Sequence, residues 1–286
     1  MTDPGPSAHD VFEALRRRLF GVAYGIVGSV ADAEDVVQET WIAWSTVDAG
    51  EVRDPESYLV RAVTHRALNS LRSRQRRRED YVGPWLPEPV DTGLRPEDAA
   101  TLADDVTFAL MVLLEQLSPL ERAAFVLREV FDLSTDEVAE SLERSPAAIR
   151  QLVSRARGHL QGVARYDTDA TEQRRLGRVF VDAIRTGDLS RVMSVVAPDV
   201  VLVTDGGGQV QAALRPIQGA DNVLRFFAGL ALRYPDWAAR EAVLNGLPSL
   251  LITAGDTVSA VHLGIVDGIV TDVWVVRNPE KLTGLQ

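Results

Sequence analysis

The chain has 286 residues, which is enough for two or three small domains. It contains no cysteine, so disulfide scaffolds, thiolate metal sites and cysteine nucleophiles are excluded. No signal peptide is expected, because the first thirty residues have no apolar core behind a basic start. No membrane span is expected, because no apolar run approaches the roughly 20 residues of a membrane helix. The net charge of −11 argues, as an average, against a nucleic-acid binder.

The charge is unevenly distributed along the chain. Residues 61–78 hold seven arginines and no acid, and residues 144–165 hold five arginines and again no acid. Residues 79–105 hold eight acids against a single arginine. An acidic protein with two concentrated basic stretches can still bind phosphates locally, although one such stretch alone is typical of a solvated helix face.

Residues 9–80 are predicted to be almost wholly helical. Apolar residues recur at helical spacing over 10–27, and a second helix is expected over 31–45. Asp54 is placed to cap a third helix with Pro55 at its first position, where a missing N–H costs nothing. This third helix becomes arginine-rich beyond its apolar first half.

Residues 81–104 contain four prolines and two glycines without a helical period, which predicts a linker. Residues 105–165 follow with capping boxes that begin at Ser118 and Ser134. Ser145 is expected to cap a third helix with an inward apolar stripe and an outward face of small, basic and amide residues. This pattern favours a helix-turn-helix whose last helix enters a DNA groove. A three-helix bundle with a basic surface helix is the plainer alternative.

Residues 171–286 change character. Amphipathic helices are predicted over 172–185, 189–196 and 220–231, with a strand over 200–205 and several further strand-like runs after residue 238. Helices followed by a meander of strands imply an α+β domain with a curved sheet around a helix.

Five stretches carry a resemblance to a known family. DAEDVVQETW (32–41) and residues 117–160 resemble regions 2 and 4 of an extracytoplasmic-function (ECF) sigma factor of the sigma-70 family. YVGPWLPEP (81–89), DGGGQV (205–210) and NPEKL (278–282) resemble signatures of the subfamily with a C-terminal SnoaL-like domain. The resemblance implies a multidomain chain with two all-α sigma domains, the region 2 bundle and the region 4 helix-turn-helix. An α+β SnoaL-like (cystatin-like cone) domain follows them.

The resemblance also implies a function and its surfaces. It implies a cytoplasmic protein that binds core RNA polymerase and directs promoter-specific initiation, with no membrane partner and with its activity tuned by the C-terminal domain. The core-binding residues implied on region 2 are Asp32, Asp35, Gln38 and Glu39. The implied contacts to the minus-10 element are Arg61, Arg66, Arg72, Arg74 and Arg76. The implied contacts to the minus-35 element are Ala147, Arg150, Gln151, Ser154 and Arg155.

The linker and the C-terminal domain are expected to form a regulatory contact. Trp85 is apolar and braced by prolines, so it loses little entropy on docking. The C-terminal domain is expected to pack against the linker and the region 2 side of the chain. The residues expected at this interdomain contact are Trp85, Leu86, Pro87, Asp205, Gly206, Gly207, Asn278 and Pro279.

An enzyme is the main alternative for the C-terminal domain. Asp205, His262, Asp272 and Trp274 are candidates to line the cone, because related cones use a buried aspartate or histidine as a base. A structural role is favoured for them, so no catalytic residue, metal or cofactor is predicted, and a ligand in the cone is not predicted. The two rival functions are a helix-turn-helix regulator that acts without polymerase, with the cone as a ligand sensor, and a SnoaL-type enzyme fused to a DNA-binding module.

Overall fold

The computed structural model describes residues 7–78, 81–93, 106–160, 166, 169–186, 188 and 190–285. The chain divides into two compact units. The first comprises Met1–Glu79, Asp104–Val106 and Leu110–Val163. The second comprises Asp80–Ala103, Thr107–Ala109 and Ala164–Gln286. Region 2 and most of region 4 thus share one unit, while the linker belongs to the other.

Region 2 is a bundle of three helices. The helices are α1 (Ala8–Val27), α2 (Val30–Trp44) and α3 (Pro55–Arg78), with a 3₁₀ turn at Ala49–Glu51. Ser7 and Asp10 form a capping box at the start of α1, and Ser29 caps α2. The apolar stripes of the three helices pack together, so the helices predicted over 10–27 and 31–45 are confirmed to within a residue or two.

Region 4 contains four helices. They are α4 (Phe108–Leu114), α5 (Pro119–Phe125), α6 (Thr135–Ser141) and α7 (Pro146–Leu160), and α5 continues into a π-helical turn at Val126–Val130. Both predicted capping boxes are present, with the Ser118 and Ser134 hydroxyls accepting from the backbone of Glu121 and Glu137. The polar starts of these helices therefore locate the helix-turn-helix.

The second unit is a curved six-stranded sheet with helices packed on one face. In chain order it contains α8 (Ala170–Thr186), α9 (Ser190–Met193), β1 (Val196–Asp205), β2 (Ile217–Gln218), α10 (Ala220–Arg233), β3 (Ala238–Leu244), β4 (Leu247–Ala254), β5 (Thr257–Val266) and β6 (Ile269–Val276). Two 3₁₀ turns, Pro279–Lys281 and Thr283–Leu285, follow. The strand order is β2-β1-β6-β5-β4-β3, and only the β1–β6 pair is parallel.

One local feature of this unit differs from the sequence prediction, and another matches it. The helix predicted over 189–196 ends at Met193 and gives way to β1, which begins at Val196. The predicted Asp267–Gly268 hairpin is confirmed, with φ of 51° and 74° at its two central residues. The fold class as a whole is confirmed: two all-α domains followed by an α+β domain.

The pairing of β5 with β6 fixes which side chains share a face. Val261 lies opposite Val275, and Leu263 lies opposite Val273; all four belong to the core formed with α8 and α10. His262 lies opposite Trp274 between them, so these two side chains point away from that core. Within the described residues, no helix is long and apolar enough to cross a membrane.

Candidate functional site

The predicted polymerase-binding face of α2 is only partly open. Asp35, Gln38 and Glu39 are exposed to solvent. Asp32 instead forms an ion pair with Arg74, with Nη1 2.7 Å from Oδ2, and Arg74 also donates to the carbonyl of Val27 at 3.0 Å. Arg74 thus satisfies a backbone carbonyl at the C-terminal end of α1 and balances the charge of Asp32 within the bundle. In this structure these two residues link α1, α2 and α3 within region 2.

The remaining arginines of α3 differ in their surroundings. Arg61 pairs with Glu140 of α6 at 2.9 Å, and Arg66 donates to the carbonyl of Ala62 one turn earlier. Arg72 is exposed. The side chain of Arg76 lies outside the described part of the chain. Of the five predicted minus-10 contacts, Arg72 is therefore the one whose described guanidinium faces solvent without such a contact.

The outward face of α7 carries the residues that were predicted to form a recognition surface. Its buried stripe consists of Ile149, Leu152, Val153 and Ala156, which pack against the rest of region 4. Arg155 lies 3.8 Å from Glu121, a long ion pair that leaves its guanidinium more than half exposed. The predicted minus-35 residues all lie on the exposed face: Ala147, Arg150, Gln151, Ser154 and Arg155.

Regions 2 and 4 pack directly on one another, with α3 against α5 and α6. Arg122 of α5 is 1% exposed. Its Nε donates to the carbonyl of Gly25 at 2.9 Å, and its Nη1 binds Glu115 at 2.8 Å. A side chain at Gly25 would meet Val126, so the glycine permits the close approach. We call this surface the closed contact.

Sequence reasoning missed Arg122. It follows a capping box on an amphipathic helix, where an arginine ordinarily faces solvent. The backbone carbonyl that accepts from its Nε, that of Gly25, lies 97 residues away along the chain, near the end of α1. No local pattern points to them.

A second cluster ties the linker to the sheet of the second unit. The carboxylate of Asp205 at the end of β1 is completely buried. It accepts from the Tyr81 hydroxyl at 2.5 Å, the Leu86 N–H at 2.8 Å and the Lys281 ammonium at 2.7 Å. Burial is the main reason that the pKa of Tyr81 rises, followed by its bond to Asp205, so its hydroxyl stays a donor.

Lys281 completes the cluster from the last turn of the chain. Its ammonium is buried, donates to the Leu86 carbonyl at 2.6 Å and lies 3.1 Å from the centre of the Trp85 ring. Asn278 donates to the Tyr81 hydroxyl at 3.1 Å. We call the residues Tyr81, Trp85, Leu86, Asp205, Asn278 and Lys281 the linker latch.

The turns that build the latch need their particular residues. Gly207 has φ of 60°, and a Cβ there would collide with the side chain of Asn278. The Asn278 side chain caps the following turn by accepting from the Glu280 N–H, with Pro279 at its first position. Gly206 and Pro87 are also buried. Of the residues predicted for the interdomain contact, the structure places Trp85, Leu86, Asp205, Gly207 and Asn278 together within the second unit.

The linker also extends the sheet beyond the latch. The Thr92 N–H donates to the Val243 carbonyl at 2.9 Å, and the Asn245 N–H donates to the Val90 carbonyl at 2.8 Å. The chain from Tyr81 to Thr92 is thereby attached to the second unit along its length. The sequence reasoning above gives Lys281 no role. One signal points to it, because it is the only lysine in a chain with 29 arginines.

The four residues considered for the cone interior lie elsewhere. Asp205 belongs to the latch, and His262 and Trp274 point to the face opposite the α8–α10 core. His262 stacks on Phe108 with ring centres 3.7 Å apart, and its Nδ1 lies 3.0 Å from the Ser249 hydroxyl. Burial lowers the pKa of His262 to about 3, so it stays neutral. Asp272 accepts from the Tyr166 hydroxyl at 3.0 Å on that same face. The expectation that these residues line the cone is wrong.

Comparison with known proteins gives a consistent result across the chain. The family models for sigma-70 region 2 and sigma-70 region 4 match residues 11–77 and 107–160. The ECF RNA polymerase sigma factor SigJ of Mycobacterium tuberculosis is 41% identical over 96% of this chain and 92% of its own. The probable ECF RNA polymerase sigma factor SigI of the same organism is 28% identical over 98% of both chains. The crystal structure of SigJ superimposes with a TM-score of 0.80, at 38% identity, over 96% of this chain and 97% of that one.

Proposed function

The chain belongs to the ECF RNA polymerase sigma factors, and we propose that it binds core polymerase and directs promoter-specific initiation from a state closed by its own domains. The observation that carries the proposal is that regions 2 and 4 form a single compact unit. The second unit, with its docked linker, regulates that state and performs no catalysis.

In this proposal three surfaces of the first unit bind different partners. Asp35, Gln38 and Glu39 present acids and an amide to a basic surface of the polymerase, which gives steering as well as specificity. The exposed face of α7 reads the minus-35 element, and its flanking arginines hold phosphates. The arginines of α3 hold the backbone of the opened minus-10 element.

The closed contact is incompatible with simultaneous promoter recognition. The minus-10 and minus-35 elements lie about 25 base pairs apart, which is roughly 85 Å of B-DNA. Helices that touch through Arg122, Gly25 and Val126 cannot reach both elements at once. Glu140 also holds Arg61, one of the proposed minus-10 contacts. Binding to core polymerase therefore has to separate the two regions, and the closed state opposes it by its own free energy.

The linker latch controls the same transition through chain length. Fully extended, the chain between Arg78 and Phe108 would span roughly 100 Å, which suffices for both elements. While it is docked, the segment from Tyr81 to Thr92 contributes only a fixed distance to that span. Opening the latch frees these residues and lengthens the reach between regions 2 and 4. The second unit can tune activity in this way.

An engineered disulfide across the closed contact tests the proposal, because the chain has no native cysteine that could interfere. A Cβ on Gly25 would lie 3.9 Å from the Cβ of Val126, close to the 3.8 Å mean of a disulfide. The double variant Gly25→Cys/Val126→Cys is oxidised, freed of oxidant and assayed for transcription with core polymerase. We expect the oxidised protein to be inactive and dithiothreitol to restore activity.

The single variant Val126→Cys, treated in the same way, is the control and should be unaffected by oxidation. If the cross-linked protein transcribes as well as its reduced form, separation of regions 2 and 4 is not required. If it instead binds promoter DNA specifically without polymerase, the rival reading as an independent regulator is favoured.

A further inference from the structure

Glu121 of α5 is a buried acid in region 4 whose negative charge its capping role does not require. Its side chain is 7% exposed, and its Oε2 accepts from the N–H and the hydroxyl of Ser118 at 3.1 Å and 2.6 Å. These bonds belong to the capping box that begins α5. Glutamine serves at the same place in capping boxes, and burying a carboxylate costs more free energy than burying an amide. The cap thus engages one oxygen and leaves the charge for another partner.

The charge of Glu121 faces the recognition helix α7. Its Oε1 lies 3.8 Å from the Nε of Arg155, and its Oε2 lies 3.7 Å from the Nδ1 of His159, one turn further along α7. Both side chains of α7 are more than half exposed, so they stay accessible to DNA. The hydrogen bond from Ser118, followed by the charges of His159 and Arg155, lowers the pKa of Glu121. The carboxylate is therefore ionised at neutral pH, next to the face that was predicted to contact the minus-35 element.

The two arginines predicted to contact the minus-35 element differ in this respect. Arg155 turns its Nε toward the carboxylate. Its two Nη atoms can then donate together to O6 and N7 of a guanine, the commonest base-specific contact in the major groove. Arg150, on the same exposed face, has no ion pair among the described residues. A guanidinium held from behind by an acid is oriented before it binds, whereas a free one has to be ordered by its ligand.

We propose that Glu121 is a positioning residue for promoter recognition, which holds Arg155 in the orientation that reads a guanine of the minus-35 element. Restraint of the guanidinium before binding spares the entropy of ordering a long side chain, and this favours the correct base. The same acid repels phosphates, so it lowers non-specific affinity while it raises selectivity. The inference rests on the proposed reading of the minus-35 element by α7, and it adds a residue that lies outside that helix.

The test is a selection on double-stranded DNA randomised over both promoter elements, with holoenzyme assembled from the full chain and core polymerase. Arg155→Ala identifies the position that Arg155 reads, as the one where the preference for guanine disappears. Glu121→Gln keeps the cap and should reduce the preference for guanine at that position about fivefold or more, with the other positions unchanged. Its binding to non-specific duplex should be unchanged or tighter, whereas a folding defect would weaken that binding.

Two further variants separate positioning from a general defect. Glu137→Gln is the matched control, because Glu137 holds the same place in the capping box of α6 and forms no ion pair with α7 among the described residues. It should change neither the base preference nor the non-specific binding. Adding Glu121→Gln to Arg155→Ala should alter the base preference no further, since the acid then has no arginine to position.

Positioning by Glu121 is refuted if Glu121→Gln leaves the guanine preference intact or lowers the preference at several positions alike. It is also refuted if Arg155→Ala abolishes no guanine preference, or if the effects of the two substitutions add. In these cases the proposed function stands as long as the unsubstituted holoenzyme selects a minus-35 sequence. If the unsubstituted holoenzyme selects none, the proposed function fails, and the role of Glu121 fails with it.

Discussion

Lys281→Met removes the cation from the linker latch and leaves the carboxylate of Asp205 buried without its charge partner. The two side chains are 6% and 0% exposed, so solvent screens little of their interaction. Breaking a buried pair from one side costs about 3–5 kcal/mol, and the methionine also forfeits the contact of the ammonium with the Trp85 ring. That free energy is lost from the docked state of the linker.

The assay is hydrogen exchange of the linker amides in the full-length native protein. The Leu86 N–H bonds to Asp205 itself, and the Thr92 N–H bonds to the Val243 carbonyl, so both exchange only when the linker opens. A loss of 3–5 kcal/mol corresponds to exchange roughly 150 to 5,000 times faster. Transcription with core polymerase should rise in parallel, because the linker then opens more readily.

Glu280→Gln is the matched control, since Glu280 lies on the same turn but is exposed, and it should leave both readouts unchanged. Asp205→Asn combined with Lys281→Met should be less destabilised than the sum of the single variants, because no buried charge then lacks a partner. If Lys281→Met accelerates exchange of Leu86 less than threefold, the latch does not hold the linker.

The other predictions concern the two interaction faces and the buried histidine. Reversing the charges of Asp35 and Glu39 should weaken core binding about tenfold or more in a binding titration, with the melting temperature unchanged because both are exposed. Gln151→Ala should weaken promoter binding by ~1–3 kcal/mol and relax the base preference at one minus-35 position. Arg144→Ala should weaken binding to all promoters alike and flatten the salt dependence of that binding. Both effects are measured as binding to a set of singly substituted promoters. The pKa of His262 is about 3 in the folded protein and near 6.5 in the unfolded chain, so its contribution to the free energy of unfolding is fully present above pH 6.5. Below that pH the free energy of unfolding should fall by about 1.4 kcal/mol per pH unit. Urea unfolding between pH 7 and 5 should show this slope, and His262→Phe should remove the slope.

Local signals predicted much of this fold. Capping boxes at Ser118 and Ser134 and the apolar stripe of α7 located the helix-turn-helix, because each depends on residues within one or two turns. The Asp267–Gly268 turn located the last hairpin for the same reason.

Features that depend on distant partners escaped the sequence. The ion pair between Arg74 and Asp32 joins two helices. Because the sequence pattern of one helix does not show the other helix, it assigns each residue to an exposed face. The register of β5 decided the position of His262, because one residue along a strand changes the face on which a side chain lies. Period and composition cannot supply that register.

The path of the chain between Phe108 and Tyr166 bears on how this protein can be dissected. Both rings pack on Trp274, with centres 6.1 Å and 5.2 Å from it, so the chain leaves the second unit and re-enters it at a single aromatic patch. In its connectivity, region 4 is an insertion into the C-terminal domain. A chain cut after region 4 would lose the surface that covers Phe108 and Leu86, which are 3% and 2% exposed in the intact protein. Such a fragment would present new apolar surface prone to association, and its transcription would mix that defect with the loss of control. Point substitutions in the intact chain separate the two effects.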